Sequence, residues 1–156
     1  MTIVDTNPSI EDFKAAATAF LETQFERRSD EAFEWGKGDD RVGVLEEKSP
    51  DEEAMELAAA KAFKASEFDA GFGWITGPTQ YGGAGLTNEF EKAFNKAESQ
   101  YKVPNQSIFQ IGLGMVAPTI LAHASDLARE KFLRAMWRAD IVACQLFSEP
   151  GAGSDL

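Results

Sequence analysis

The residues best suited to chemistry lie together in Cys144-Gln-Leu-Phe-Ser-Glu-Pro-Gly-Ala-Gly-Ser-Asp155. Pro150 fixes one backbone angle, while Gly151 and Gly153 permit tight or left-handed geometry. Ser148, Ser154 and the small residues between them can present N–H and O–H groups to a guest, for which an anion or a ring edge is suitable. A turn that merely ends a strand has the same composition, so local chemistry leaves both readings open. A second candidate is the stretch from Gly71 to Gly85, with six glycines in 15 residues. Its Tyr81-Gly82-Gly83 reads as a structural turn. A single cysteine, Cys144, and a single histidine, His123, exclude an intrachain disulfide and a zinc site of the usual Cys/His kind. Cys144 is expected as a small core residue. His123 is expected as a helix-end charge or a core hydrogen bond. The acidic runs at 30–31, 39–40, 46–47 and 51–53 lack the spacing of a calcium loop and read as solvated surface.

The elements that must position these residues are mostly helices. Ser9 is an N-cap with Asp12 three residues on. Ile10, Phe13, Ala17, Phe20, Gln24 and Phe25 follow at helical spacing, with Arg27 and Arg28 suiting the C-terminal end. Residues 29–49 are irregular yet aromatic, and read as an ordered loop. Ser49-Pro50, followed by Asp51, Glu52 and Glu53, opens a second helix that runs to about Ala70 and stops at Gly71. The glycines of 71–85 exclude a helix there. A third helix begins near 86–88, with Phe90, Phe94, Ala97 and Tyr101 stepping by four, three and four, and Pro104 just beyond. A fourth covers about 107–122. It is apolar most of the way round, which predicts a central, buried helix. A fifth runs from Ser125 to about Arg138, with Leu133, Met136 and Trp137 inward. Ile141 to Phe147 is short, apolar and β-prone, and reads as a buried strand. The predicted fold is therefore all-α: five or six helices over residues 1–140, then residues 141–156 as the first strand of a truncated β-domain.

Composition narrows the function. The chain has 156 residues, 15 Lys and Arg against 26 Asp and Glu, and a net charge of −11. That balance argues against general nucleic-acid binding, which needs a basic face. The acid is concentrated in residues 1–70, which hold 18 acids and 8 bases, so the remainder can approach an anionic ligand without strong repulsion. The longest nearly continuous apolar run, 111–122, is shorter than the roughly 20 residues a bilayer requires. The N-terminus has no signal-peptide pattern, so a cytoplasmic location is expected.

The segment 144–155 resembles the first signature of the acyl-CoA dehydrogenase family. Gly73-Trp-Ile-Thr-Gly-Pro-Thr-Gln-Tyr-Gly-Gly-Ala-Gly-Leu86 resembles the family's Pro-x-x-Tyr-Gly-Gly-x-Gly segment. Ile111-Gly-Leu-Gly-Met-Val-Ala-Pro-Thr-Ile-Leu-Ala-His123 resembles its central helix. Lys131-Phe-Leu-x-x-Met and Arg138 fit the helix before the signature. The resemblance covers about 50–156 well and 1–49 weakly, although Trp35-Gly-Lys-Gly-Asp-Asp40 resembles a bacterial branch.

The resemblance implies the N-terminal part of an FAD-dependent flavoenzyme with a helical domain, a β-domain and a C-terminal four-helix domain. Such enzymes desaturate an acyl-CoA thioester between its α and β carbons and pass electrons to electron-transferring flavoprotein, working as homo-oligomers (dimers or tetramers). Gln145, Leu146, Phe147, Ser148, Gly153 and Ser154 then fall in the stretch that lines FAD, with Ser148 near flavin N5 and Ser154 touching FAD or the acyl-CoA. No residue here is assigned as catalytic. The family's glutamate base comes from the C-terminal domain, and Glu149 belongs to the turn. The fragment alone is expected to be inactive. Ala124 and Ala139 depart from the family, where Gly is usual. Two further readings stand beside this one. The first is a non-catalytic helical binding or assembly module. The second is a relative with oxidase or monooxygenase chemistry.

Overall fold

The computed structural model describes residues 8–28 and 48–146. It comprises five α-helices: α1 (Ile10–Glu22), α2 (Pro50–Asp69), α3 (Asn88–Glu98), α4 (Ala117–His123) and α5 (Asp126–Trp137). No strand occurs among the described residues. The loop expected at 29–49 lies almost wholly outside them.

The helix starts follow from their caps. Ser9 accepts a hydrogen bond from the Asp12 amide, and Ser125 does the same from Ala128. At α2, Ser49 and Glu52 form a reciprocal capping box with Pro50 in the first turn, satisfying donors that would otherwise be orphaned. Both Ser49 bonds to Glu52 hold its carboxyl below the usual range. The expectation at the end of α1 holds in part. The helix stops at Glu22, whose carboxylate takes the Arg27 guanidinium at 2.7 Å, while the Arg27 backbone and Arg28 pair with the end of the α3 segment. Arg27 forms an antiparallel bridge with Tyr101, and the Arg28 Nε donates to the Tyr101 carbonyl at 2.9 Å.

The core is aromatic. Phe13 on α1 meets Phe72 and Phe90 edge-on at 5.4 and 5.1 Å, and Phe72 stacks on Phe94 of α3 at 5.0 Å. Phe94 is buried, so its side chain alone contributes roughly 1.5–3 kcal/mol. The second half of α2 places Ala60, Phe63 and Phe68 in three separate apolar clusters. It also buries Glu67, whose carboxylate meets Lys64 at 2.8 Å. Burial pushes the Glu67 carboxyl up, against the pull of Lys64.

The helix at 107–123 corrects the sequence expectation twice. It is not uniform, passing from a 3₁₀ turn (Ser107–Phe109) through a π-helical stretch (Gly112–Val116) into α4. Pro118 lacks a donor, and its ring presses on the carbonyl four residues back. The wider turn before it, closed by Ala117 N–H on the Gly112 carbonyl, accommodates that ring. Nor is the helix buried all round, since Ile108, Ile111 and Met115 are 43–50% exposed. Apolar composition shows that a helix has apolar surroundings somewhere. It does not show that the neighbouring helices supply them.

Candidate functional site

Two glycine-dependent turns deliver the site. At the end of α2, Phe72 N–H bonds the Glu67 carbonyl and Gly71 N–H bonds the Phe68 carbonyl. Gly71 has φ +92°. This is a Schellman closure, which favours glycine at the left-handed position. It turns the chain into the 71–85 loop. There Gly83 lies against the backbone of Gly77 so closely that a Cβ would sit 2.2 Å from the Gly77 carbonyl. The expected turn at Tyr81-Gly82-Gly83 is therefore a backbone-on-backbone contact, preceded by a one-turn 3₁₀ helix at Thr79–Tyr81.

The end of α5 repeats the closure. Asp140 N–H bonds the Ala135 carbonyl at 2.8 Å, and Ala139 N–H bonds the Met136 carbonyl at 3.0 Å. Here the left-handed position holds Ala139, with φ +63° and 1% exposure. Ala139 is thus a strained residue whose methyl group is buried. Arg138 clamps the turn from outside. Its Nε and Nη2 grip both oxygens of Asp69 at 2.9 and 2.8 Å, and its Nη1 donates to Asp140 at 2.6 Å. The Arg138 hydrogen bonds hold the Asp69 carboxyl below the usual carboxylate range. The two carboxylates in turn raise the guanidinium still further. Asp69 and Arg138 are far apart in sequence, and no local pattern announces their pairing.

Beyond the turn, residues 142–146 run past the helices without helical or ladder pairing. Their backbone groups bond no other described residue. The expected buried strand is not formed by residues 141–146, because a strand needs a neighbour to pair with and the described residues offer none. Cys144 is exposed rather than in the core, Ile141 and Val142 are each 39% exposed, and Leu146 is 89% exposed. His123 ends α4 and is exposed.

Ala143 packs inward and shares an apolar cluster with Tyr81, Leu113, Leu133 and Trp137. Within that cluster Trp74 stacks on Trp137 at 4.9 Å with 10° between planes. The Trp137 indole N–H is buried without a partner among the described residues. The 71–85 loop and Ala143, about 60 residues apart in sequence, thus share one apolar cluster that holds the tryptophan pair. Sequence reasoning placed Trp137 inward but did not find the stack.

Of the expected site residues, Gln145 and Leu146 stand side by side on this uncovered segment. Phe147, Ser148, Gly153 and Ser154 lie outside the described residues. An open groove of about 600 Å³, lined by Pro50, Leu57, Asn105 and Ile108 among others, includes none of the residues of 79–83 or 141–146.

This architecture, five helices with a Gly-rich loop after α2 and an unpaired segment after α5, can be set against known proteins. Residues 44–140 match the acyl-CoA dehydrogenase N-terminal domain. The chain belongs to the acyl-CoA dehydrogenase family. Among curated relatives, 40 residues are 58% identical to acyl-CoA dehydrogenase FadE34 of Mycobacterium tuberculosis (strain ATCC 25618 / H37Rv), covering 26% of this chain and 6% of that one. Over 84 residues it is 32% identical to acyl-CoA dehydrogenase IpdE1 of the same organism, covering 54% of this chain and 21% of that protein. Over 86 residues it is 33% identical to its acyl-CoA dehydrogenase FadE29, covering 55% and 21%. The chain thus spans about a fifth or less of the length of these relatives. No solved structure matches it significantly.

Proposed function

We propose that this chain forms the helical N-terminal wall of an FAD-dependent acyl-CoA dehydrogenase that desaturates an acyl-CoA thioester between its α and β carbons. The observation that carries the reading is the family match over 44–140, which runs up to the segment holding Gln145 and Leu146. FAD, when bound, supplies the acceptor for the hydride leaving the β carbon. The residues present suit such a ring. An amide side chain, an exposed leucine and a run of backbone groups unpaired among the described residues offer both apolar cover and hydrogen bonds, and Ala143 just before them packs in an aromatic cluster.

In this reading Gln145, Leu146 and Phe147 contact the flavin. Ser148 donates toward N5, Gly153 lets the backbone approach closely, and Ser154 touches FAD or the acyl-CoA. Electron-transferring flavoprotein is the partner, and the complete enzyme is a cytoplasmic homo-oligomer. No helix among the described residues is long and apolar enough to cross a membrane. The 156-residue chain alone neither retains FAD nor oxidises acyl-CoA, because the glutamate base and most flavin contacts come from other domains.

The test has two arms. A longer protein carrying this segment should purify yellow, and its flavin bands should bleach on adding acyl-CoA. The 156-residue chain should purify colourless, and a stoichiometric flavin complex with it would overturn the assignment of the missing contacts. In the longer protein, Ser148→Ala should slow flavin reduction and weaken FAD retention, while Ser148→Thr should be nearly silent. One donor in a water-poor site is worth roughly 2.7–4 kcal/mol where an oxyanion forms. A flavin ring tolerates a lost contact better, so the effect should lie at or below that range's lower end. Unchanged reduction and flavin content in the alanine variant would reduce Ser148 to a turn residue.

A further inference from the structure

No further inference is drawn: the strongest candidate, the exposed apolar face of Ile108, Ile111 and Met115 beside the open flank of Gly114 on the 107–123 helix, carries nothing because nothing in the structure shows what covers it.

Discussion

Replacing Ala139 by glycine should leave stability nearly unchanged, although glycine is the residue that the left-handed position favours. Relieving φ +63° at a residue with a Cβ should gain roughly 1–2 kcal/mol. Against this, glycine frees the unfolded chain by about 0.4–1 kcal/mol. Removing a methyl group that is 1% exposed gives up roughly 0.8 kcal/mol more. At their midpoints the two losses cancel the gain. The same closure at α2 supplies the control, because Gly71 has φ +92° and is not fully buried. Gly71→Ala incurs the strain without recovering a well-buried methyl, so it should lose about 1 kcal/mol, or roughly 2–4 °C of melting temperature. Ala139→Val should fall well below both, since a branched side chain is poorly tolerated at positive φ. Urea unfolding of the four proteins measures all of this. The reasoning fails if Ala139→Gly shifts stability by more than about 2 kcal/mol in either direction. It fails equally if Ala139→Val is silent.

Other outcomes follow from the same geometry. Gly83→Ala forces a Cβ to within 2.2 Å of the Gly77 carbonyl, and should cost at least about 1–3 kcal/mol, as overpacking does; an unchanged thermal melt would show that the loop can part there. Phe94→Ala, at the 5.0 Å stack with Phe72, should lose about 3–5 kcal/mol, read by denaturant midpoint. Asp69 is held below its ordinary pKa of 3.8 by Arg138. Its contribution is therefore present above that value and lost as pH falls through the lower folded one, so Asp69→Asn should be destabilised at pH 6 but converge on the parent in acid. Glu67 has the opposite sign. Burial raises it above 4.5, so its favourable contribution is full below that value and fades as pH rises through the folded one. The parent should accordingly lose ground to Glu67→Gln as pH rises through that folded value, and a parent that gains on the variant instead would contradict the raised value.

What could be foreseen from sequence was what neighbouring residues decide. Ser9, Ser49-Pro50 and Ser125 announce helix starts because capping is a contact over three residues. Gly71 announces an end because only the local φ matters. The role of α2 was not legible. Its inward face includes Glu67, which breaks the apolar stripe, and its burial depends on elements that arrive later in the chain. The helix at 107–123 and the segment after Ile141 misled in a shared way, since apolar side chains ask for cover without saying from where. For the site, local chemistry at 144–155 supported a turn as well as a cradle. Gln145 and Leu146 became candidates only through the resemblance. The Trp74–Trp137 stack and the Asp69–Arg138 pair needed the fold itself.

The Arg138 clamp also sets an angle. Residues 141–146 form an arm that reaches at most about 20 Å from its pivot at the end of α5. A tilt of about 15° at that pivot would sweep the tip through roughly 5 Å, an order of magnitude beyond the ~0.5 Å that the proposed flavin contact of Gln145 and Leu146 would tolerate. Holding the tip to that tolerance means holding the pivot to about 1.5°. A bidentate grip on Asp69 and a third bond to Asp140 restrain that rotation at the short end of the lever, where each tenth of an ångström of slack is magnified on its way to Leu146.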